Sequence, residues 1–315
     1  MLKIFRYLFK HWATILAVVA LLLVQANCDL ALPGYTSDIV DVGIQQGGVD
    51  SALPDPVRDS TLQALESLMS PEDAALAEQW YAAPDENGLR ALVHGAEAAR
   101  AELEEAFTLP DVMLYQAAAA LSADRQGVES ALPEAQDLDA AAAAVSQALS
   151  SAEDVSLASG AITSDGSAAG LSSQAASQAV QLVRLEYRAQ GVDGQVQMRY
   201  LLTTGGEMLL VALLMAAAAI SVGFLASRVS AAIGRDLRGQ VFAKVIDFSH
   251  AETDRFSTAS LITRTTNDIQ QVQMVAVMLL RIVIYAPILG IGGIVRVAGT
   301  DTGLSWIIVL AVALL

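Results

Sequence analysis

The chain contains only three lysines, Lys3, Lys10 and Lys244, and none of them follows a glycine. A loop that cradles nucleotide phosphates needs the pattern GxxxxGK[ST], because backbone N–H groups and one lysine must together neutralise the phosphate oxygens. Neither that loop nor an LSGGQ-like segment occurs, so these residues are predicted to bind and hydrolyse no ATP by themselves. His11, His94 and His250 are isolated in sequence, which argues against a metal site, and Cys28 is the single cysteine. An intramolecular disulfide and a cysteine-rich metal site are thereby excluded. No nucleophile is spaced to meet a base. What remains is charge in apolar surroundings. Arg281 lies inside an apolar run, where a guanidinium costs several kcal/mol unless paired or hydrated. It either snorkels to the nearer interface or lines a translocation path. Asn27 is the second candidate for that path, although Asn27, Asp29 and Glu207 all fall near the outer ends of their runs and read as interfacial groups.

Those charges must be positioned by membrane-spanning helices. Apolar runs extend from about Trp12 to Leu32, Gly206 to Ala226 and Val275 to Val295. At a rise of about 1.5 Å per residue each just crosses an apolar bilayer core of about 30 Å. Pro33-Gly34 is predicted to break or bend the first helix. Pro287 should kink the third, and Gly290, Gly292 and Gly293 should let a neighbouring helix approach closely. A fourth run, Leu304 to Leu315, falls short of the ~20 residues that a span needs, so the chain is expected to stop in mid-span. The first run follows Lys3, Arg6 and Lys10, as a signal peptide would. It is longer than a usual signal core and no clear small-x-small cleavage site follows it. The residues before Cys28 also lack the small side chain that a lipidated cysteine requires. A retained helix is the reading preferred.

The composition splits along the chain. It is 54% hydrophobic, yet its net charge is −16. Between Gly34 and Thr204 stand 26 acidic and 7 basic residues, or −19, leaving +3 for the remainder. Such an acidic segment should repel nucleic acid, which is excluded as a partner. Basic residues flank the first run at Lys3, Arg6 and Lys10 and follow the second at Arg228, Arg235, Arg238 and Lys244. Both flanks are therefore expected in the cytoplasm, with Gly34–Thr204 outside. That external segment reads as mostly helical. Ser70-Pro71-Glu72-Asp73 offers an N-cap, a proline at the first helical position and acids in the first turn. Similar starts are expected near Asp55-Pro56 and Pro84-Asp85, and Ser150–Ser173 reads as a flexible linker.

Between the second and third runs lies RDLRGQVFAKVIDFSHAETDRFSTASLITRTTNDIQQVQ, Arg235 to Gln273. Val241, Val245 and Phe248 make an apolar i, i+4, i+7 stripe with Phe242 and Ile246 beside it. A polar run from Ser249 to Thr253 interrupts the stripe, and a helix restarts at Thr258-Ala259-Ser260. Taken alone, the interruption is a solvated turn between two helices or a docking segment. Three blocks here resemble a cytoplasmic loop of an ATP-binding-cassette (ABC) exporter: GRDLRGQVFAKV (234–245), TDRFSTASL (253–261) and ITRTTNDIQQVQ (262–273). A fourth, LPGYTSDIVDVGIQQGG (32–48), follows the first run. Together they are similar to the transmembrane half of bacterial multidrug-type exporters of the heterodimeric kind.

The resemblance implies an all-α polytopic membrane protein of the plasma membrane, with its N-terminus in the cytoplasm. Its parts would be a cytoplasmic N-terminus and first span (1–33), an external acidic insertion (34–204), a second span (205–227), a cytoplasmic loop (228–274), a third span (275–297) and the start of a fourth (304–315). It further implies a coupling helix near Ser249–Phe256. Ser249, His250, Glu252, Asp254, Arg255 and Phe256 would then dock on a nucleotide-binding domain, with Phe256 as apolar anchor. ATP and Mg belong to that domain, which is missing from this chain. A second half-transporter, the bilayer and an exported substrate complete the partners. An insertion of about 150 residues departs from the family, where this loop is usually short. The rivals are a membrane-anchored sensor with an external ligand-binding domain, and a surface stalk or adhesion protein whose working part is the acidic segment.

Overall fold

A computed structural model describes residues 11–126, 133–151, 168–248 and 258–298. It is all-α apart from one small ladder. In chain order come α1 (Trp12–Asp38), a π-helical stretch (Ile39–Gln45), β1 (Val57–Arg58), α2 (Asp59–Leu68), α3 (Pro71–Trp80), β2 (Leu89–Arg90) and a 3-10 turn (Ala96–Ala99). The helices α4 (Arg100–Gln126), α5 (Ala135–Ser151), α6 (Ala168–Ala189) and α7 (Asp193–Ile246) follow. The last elements are α8 (Thr258–Thr263), a π turn (Arg264–Asp268), α9 (Ile269–Met278), a second π turn (Leu279–Val283) and α10 (Tyr285–Ala298). Three helical stretches, Trp12–Gln45, Asp193–Ile246 and Ala259–Arg296, are long and apolar enough to cross a membrane. The chain divides into two compact units, Met1–Thr36 with Gly205–Leu315, and Ser37–Thr204.

In the first unit, Pro33 does not break α1: the helix runs on to Asp38. A proline removes one backbone donor, here the one owed to the carbonyl of Asp29, and leaves the other bonds of the turn available. The Thr36 hydroxyl adds a bond to the Leu32 carbonyl at 3.1 Å. In the third apolar run the irregularity falls on Leu279–Val283, one turn before Pro287. The proline ring would collide with the carbonyl four residues earlier, that of Val283, and the backbone widens into a π turn up to that residue. The fourth apolar run, the basic residues at 3–10 and the segment 249–257 lie outside the described residues.

The second unit has a core of the kind water enforces. Leu62 and Leu65 of α2, Leu103, Phe107 and Leu114 of α4, Leu138 of α5 and Leu182 of α6 are fully buried together. Tyr81 lays its ring 5.8 Å from that of Phe107 and donates its hydroxyl to the Pro54 carbonyl at 2.6 Å. Burial pushes the Tyr81 hydroxyl well above the usual phenol range. The Ser70 cap forms as predicted, its Oγ accepting from the Asp73 N–H at 3.2 Å. The other two helix starts do not. Asp55-Pro56 leads into β1, which pairs antiparallel with β2 through Val57↔Arg90 and Arg58↔Leu89. Asp85 builds a turn, its Oδ1 accepting from the N–H groups of Asn87 and Leu89, while Gly88 takes φ +74°. The Asn-Gly pair at 87–88 is the turn chemistry that competed with a helix. These backbone bonds hold the Asp85 carboxyl below its ordinary range.

The buried carboxylate of Glu186 ties the unit together. It accepts from the Arg58 backbone N–H at 2.8 Å and from the Arg58 guanidinium at 3.0 Å. Thr61 and Gln190 each add a bond at 2.8 Å. The residues read as a linker are helical at both ends. Ser151 closes α5, and Ala168–Ser173 open α6, whose Val180, Leu182, Val183 and Leu185 are buried and anchor it. Residues 152–167 lie outside the described set.

Candidate functional site

Three helices of the first unit meet along narrow stripes. Val18, Leu22 and Ala26 recur every four residues on α1, and Ala218, Val222, Ala226, Val229 and Ile233 make the facing stripe on α7. Val18 and Leu22 cluster with Val222, while Ala226, Val229 and Ile233 cluster with Ala276 and Leu280 of the third run. Close approach depends on small residues, as expected where lipid tails are as apolar as the helices themselves. A Cβ on Gly292 would come within 2.8 Å of Leu30 Cδ1, so the glycine expectation holds at that position.

Four polar side chains break the apolar surface. Gln25 and Asp29 lie one turn apart on α1. The Tyr285 hydroxyl at the start of α10 donates to Asp29 Oδ2, and Gln25 lines the same hollow as Tyr285. Beside them is a cavity of about 420 Å³ lined by Leu22, Gln25, Val222, Arg281, Ile282 and Tyr285, among others. Arg281 sits in the π turn that precedes Pro287 and makes no hydrogen bond or ion pair among the described residues. The arrangement presents an unpaired cation, an amide and a hydroxyl to a mostly apolar hollow. It can bind and orient a polar group, and it holds no pair of groups set for covalent chemistry.

A second polar contact joins α7 to α9. The Ser230 hydroxyl donates to the Gln273 carbonyl at 2.7 Å, and the Gln273 amide returns a longer bond to the Ser230 carbonyl at 3.4 Å. Gly234, one turn on, makes room for this. A Cβ there would fall 2.0 Å from Gln273 Nε2. Serine, glycine and glutamine thus lock the polar extension of α7 to the start of the third run.

Of the residues singled out from sequence, Arg281 lines the cavity. Asn27 does not. It is exposed, and its Nδ2 donates to the Leu23 carbonyl of its own helix at 2.9 Å. Glu207 is exposed too. Ser249, His250, Glu252, Asp254, Arg255 and Phe256 lie outside the described residues; α7 ends just before them at Ile246 and α8 resumes at Thr258. Sequence reasoning missed Gln25, Asp29 and Tyr285 as a group. The available signal was spacing: Gln25 and Asp29, and likewise Arg281 and Tyr285, stand four apart in apolar runs. It also missed Ser230–Gln273, whose members lie within or beside the polar loop.

Residues 192–315 match the family described as ABC transporter transmembrane region. Over 111 residues the chain is 38% identical to an uncharacterised ABC transporter ATP-binding protein of Mycobacterium tuberculosis, covering 35% of this chain and 19% of the relative. It is 33% identical over 118 residues to the uncharacterised ABC transporter ATP-binding protein YfiB of Bacillus subtilis, covering 38% and 21%. A putative ABC transporter ATP-binding protein of Mycoplasma genitalium is 35% identical over 82 residues, covering 26% and 13%. The chain thus spans about a fifth or less of the length of these relatives. Apolar helices long enough to cross a bilayer, packed through small residues and carrying this match, make it a membrane protein. Through residues 192–315, the chain is similar to the transmembrane region of ABC transporters.

Proposed function

We propose that the chain is the permease portion of an ATP-driven exporter, with Arg281 on the translocation path and Ser249–Phe256 as the segment that docks on a nucleotide-binding domain. The match over residues 192–315 carries this reading. In it, the acidic segment Gly34–Thr204 lies outside the cell, the N-terminus and the loop 228–274 lie in the cytoplasm, and the chain pairs with a second half-transporter in the plasma membrane. No lysine of this chain could serve a phosphate loop, so ATP and Mg would be held by a domain outside these 315 residues. The chain's own part is mechanical. Movement delivered at Ser249–Phe256 would enter the ends of α7 and α8. The Ser230–Gln273 bonds and the glycine contact at Gly234 would make α7 and α9 shift as a pair, reshaping the cavity around Arg281 between two accessible states.

The test uses the assembled transporter purified from native membranes with whatever ATP-binding polypeptide accompanies it, reconstituted in vesicles. ATP-dependent export is expected. Phe256→Ala should lower transport per ATP hydrolysed with the melting temperature unchanged, because aromatic anchors commonly carry about 2 kcal/mol or more of an interface. Arg281→Gln should alter transport of charged substrates while hydrolysis persists. Absence of any associated ATP-binding polypeptide, with no ATP-driven movement of solutes, would sink the reading.

A further inference from the structure

In the acidic unit, the end of α2 and the facing sides of α3 and α4 enclose a groove of about 550 Å³. Its floor is apolar: Leu68, Met69, Leu76 and Leu109, the last half exposed. Its rim carries Glu72 and Asp73 from α3 and Glu102 and Glu105 from α4, with no basic residue in the lining. Elsewhere in the unit arginines form ion pairs. Arg58 pairs with Asp139 and Glu186, Arg90 with Asp59 and Glu66, and Arg100 with Glu104. Around this groove no ion pair forms among the described residues. Glu72, Glu102 and Glu105 make no hydrogen bond or ion pair among the described residues, and the Asp73 carboxylate accepts only from the Ser70 hydroxyl, while the Asp73 N–H donates to Ser70 Oγ in the cap. Helix dipoles account for acids in first turns. They do not account for Glu105, which repels Glu102 one turn away, nor for an apolar floor left open beside four carboxylates.

We propose that this groove binds a cationic amphiphile, specifically a basic amphipathic peptide helix. Both halves of the description are required. A bare cation would leave hydrated rim carboxylates with little to gain, and a purely apolar ligand would bring no charge to the rim. A helix that places leucine-like side chains on one face and lysine or arginine along its edges meets both, in the helix-in-groove mode. The inference does not rest on the transport reading.

The experiment uses the whole chain in nanodiscs of neutral phosphatidylcholine. The probe is a fluorescent helical peptide of leucine and lysine with a single apolar stripe. Its comparators are the same peptide with glutamate for lysine, and an oligolysine of equal charge. Saturable binding of the leucine–lysine peptide above empty nanodiscs is expected, weakened roughly tenfold in Glu102→Gln/Glu105→Gln and by added salt. Leu109→Ser, at a half-exposed site, should weaken binding while leaving its salt dependence alone. Glu86→Gln/Glu97→Gln, outside the groove, should change little. The proposal is overturned if oligolysine binds as tightly, if the glutamate peptide binds equally, if the distant pair of substitutions has the same effect, or if nothing binds above empty nanodiscs.

Discussion

The two units of this chain solve the same packing problem under different solvents. The acidic unit buries whole leucines and a phenylalanine, and sinks the Glu186 carboxylate where five protein donors meet it. The helical unit buries thin stripes of Val, Ala and Leu, and exposes Leu209, Leu210, Leu213, Leu214, Ile220 and Phe224 of α7. In water those side chains would be a liability. Against lipid they cost nothing, and specificity passes to glycine contacts and a few polar bonds. The contrast teaches that burial alone measures stability in one unit and not in the other.

The largest expected effect is on the buried carboxylate. Glu186→Ala leaves the Arg58 charge without its main partner and should cost about 3–5 kcal/mol. Hydrogen exchange of the whole chain in nanodiscs should show α2 and α6 losing protection while α7 around Val222 keeps it. Loss of protection in both places would merge the two units into one cooperative block.

Equal truncations sharpen the contrast. Leu103→Ala in the acidic unit should cost about 2–5 kcal/mol, the transfer and cavity terms together. Leu22→Ala, equally buried between spans, forfeits packing but little transfer energy and should cost less than half as much. Comparable losses would show that the α1–α7 contact is effectively in water. A smaller change is expected at the helix clasp. Gly234→Ala forces the Gln273 amide aside and should cost about 1–3 kcal/mol, seen as faster exchange in α9. Gly223→Ala, which meets open space, should be silent.

The smallest effect concerns Asp111, fully buried with neither oxygen partnered among the described residues. Burial raises its pKa well above the ordinary carboxylate value. A folded pKa above the unfolded one means its favourable contribution is complete at acid pH, below the usual carboxylate range of about 4, and fades as pH rises through the folded value. Asp111→Leu should therefore flatten the pH dependence of the acidic unit's melting and raise its neutral-pH stability by about 1–2 kcal/mol.

The apolar runs and the Ser70 cap were legible because hydropathy and capping are local. Span ends were less so. Pro33 signals a break or bend by its own chemistry, whereas the continuation of α1 depends on the remaining backbone bonds and on the Thr36 hydroxyl. The turn at Asp85–Gly88 was misread although Asn87-Gly88 announced it, because Pro84-Asp85 also fits a helix start. The linker reading failed at Ala168–Ser173 because α6 is fixed by contacts further along, at Leu182 and Leu185. Arg281 was visible as a charge out of place. Its neighbours Gln25 and Tyr285 belong to helices more than 250 residues apart in sequence, and that proximity is a tertiary fact.

The wide turn at Leu279–Val283 also bears on how the third span is mapped. A π turn carries one residue more than the α-helix beside it, so side chains beyond Val283 are rotated by about 100° from where a straight helix would put them. The stripe through Ala276 and Leu280 is therefore out of phase with the one that continues through Tyr285 and Ile288. A residue-by-residue accessibility scan along this run would show two periodic traces with a phase slip between them. Deleting a single residue within Leu279–Val283 would erase the slip, converting an apparent insertion back into an ordinary helix and turning Tyr285 away from Asp29.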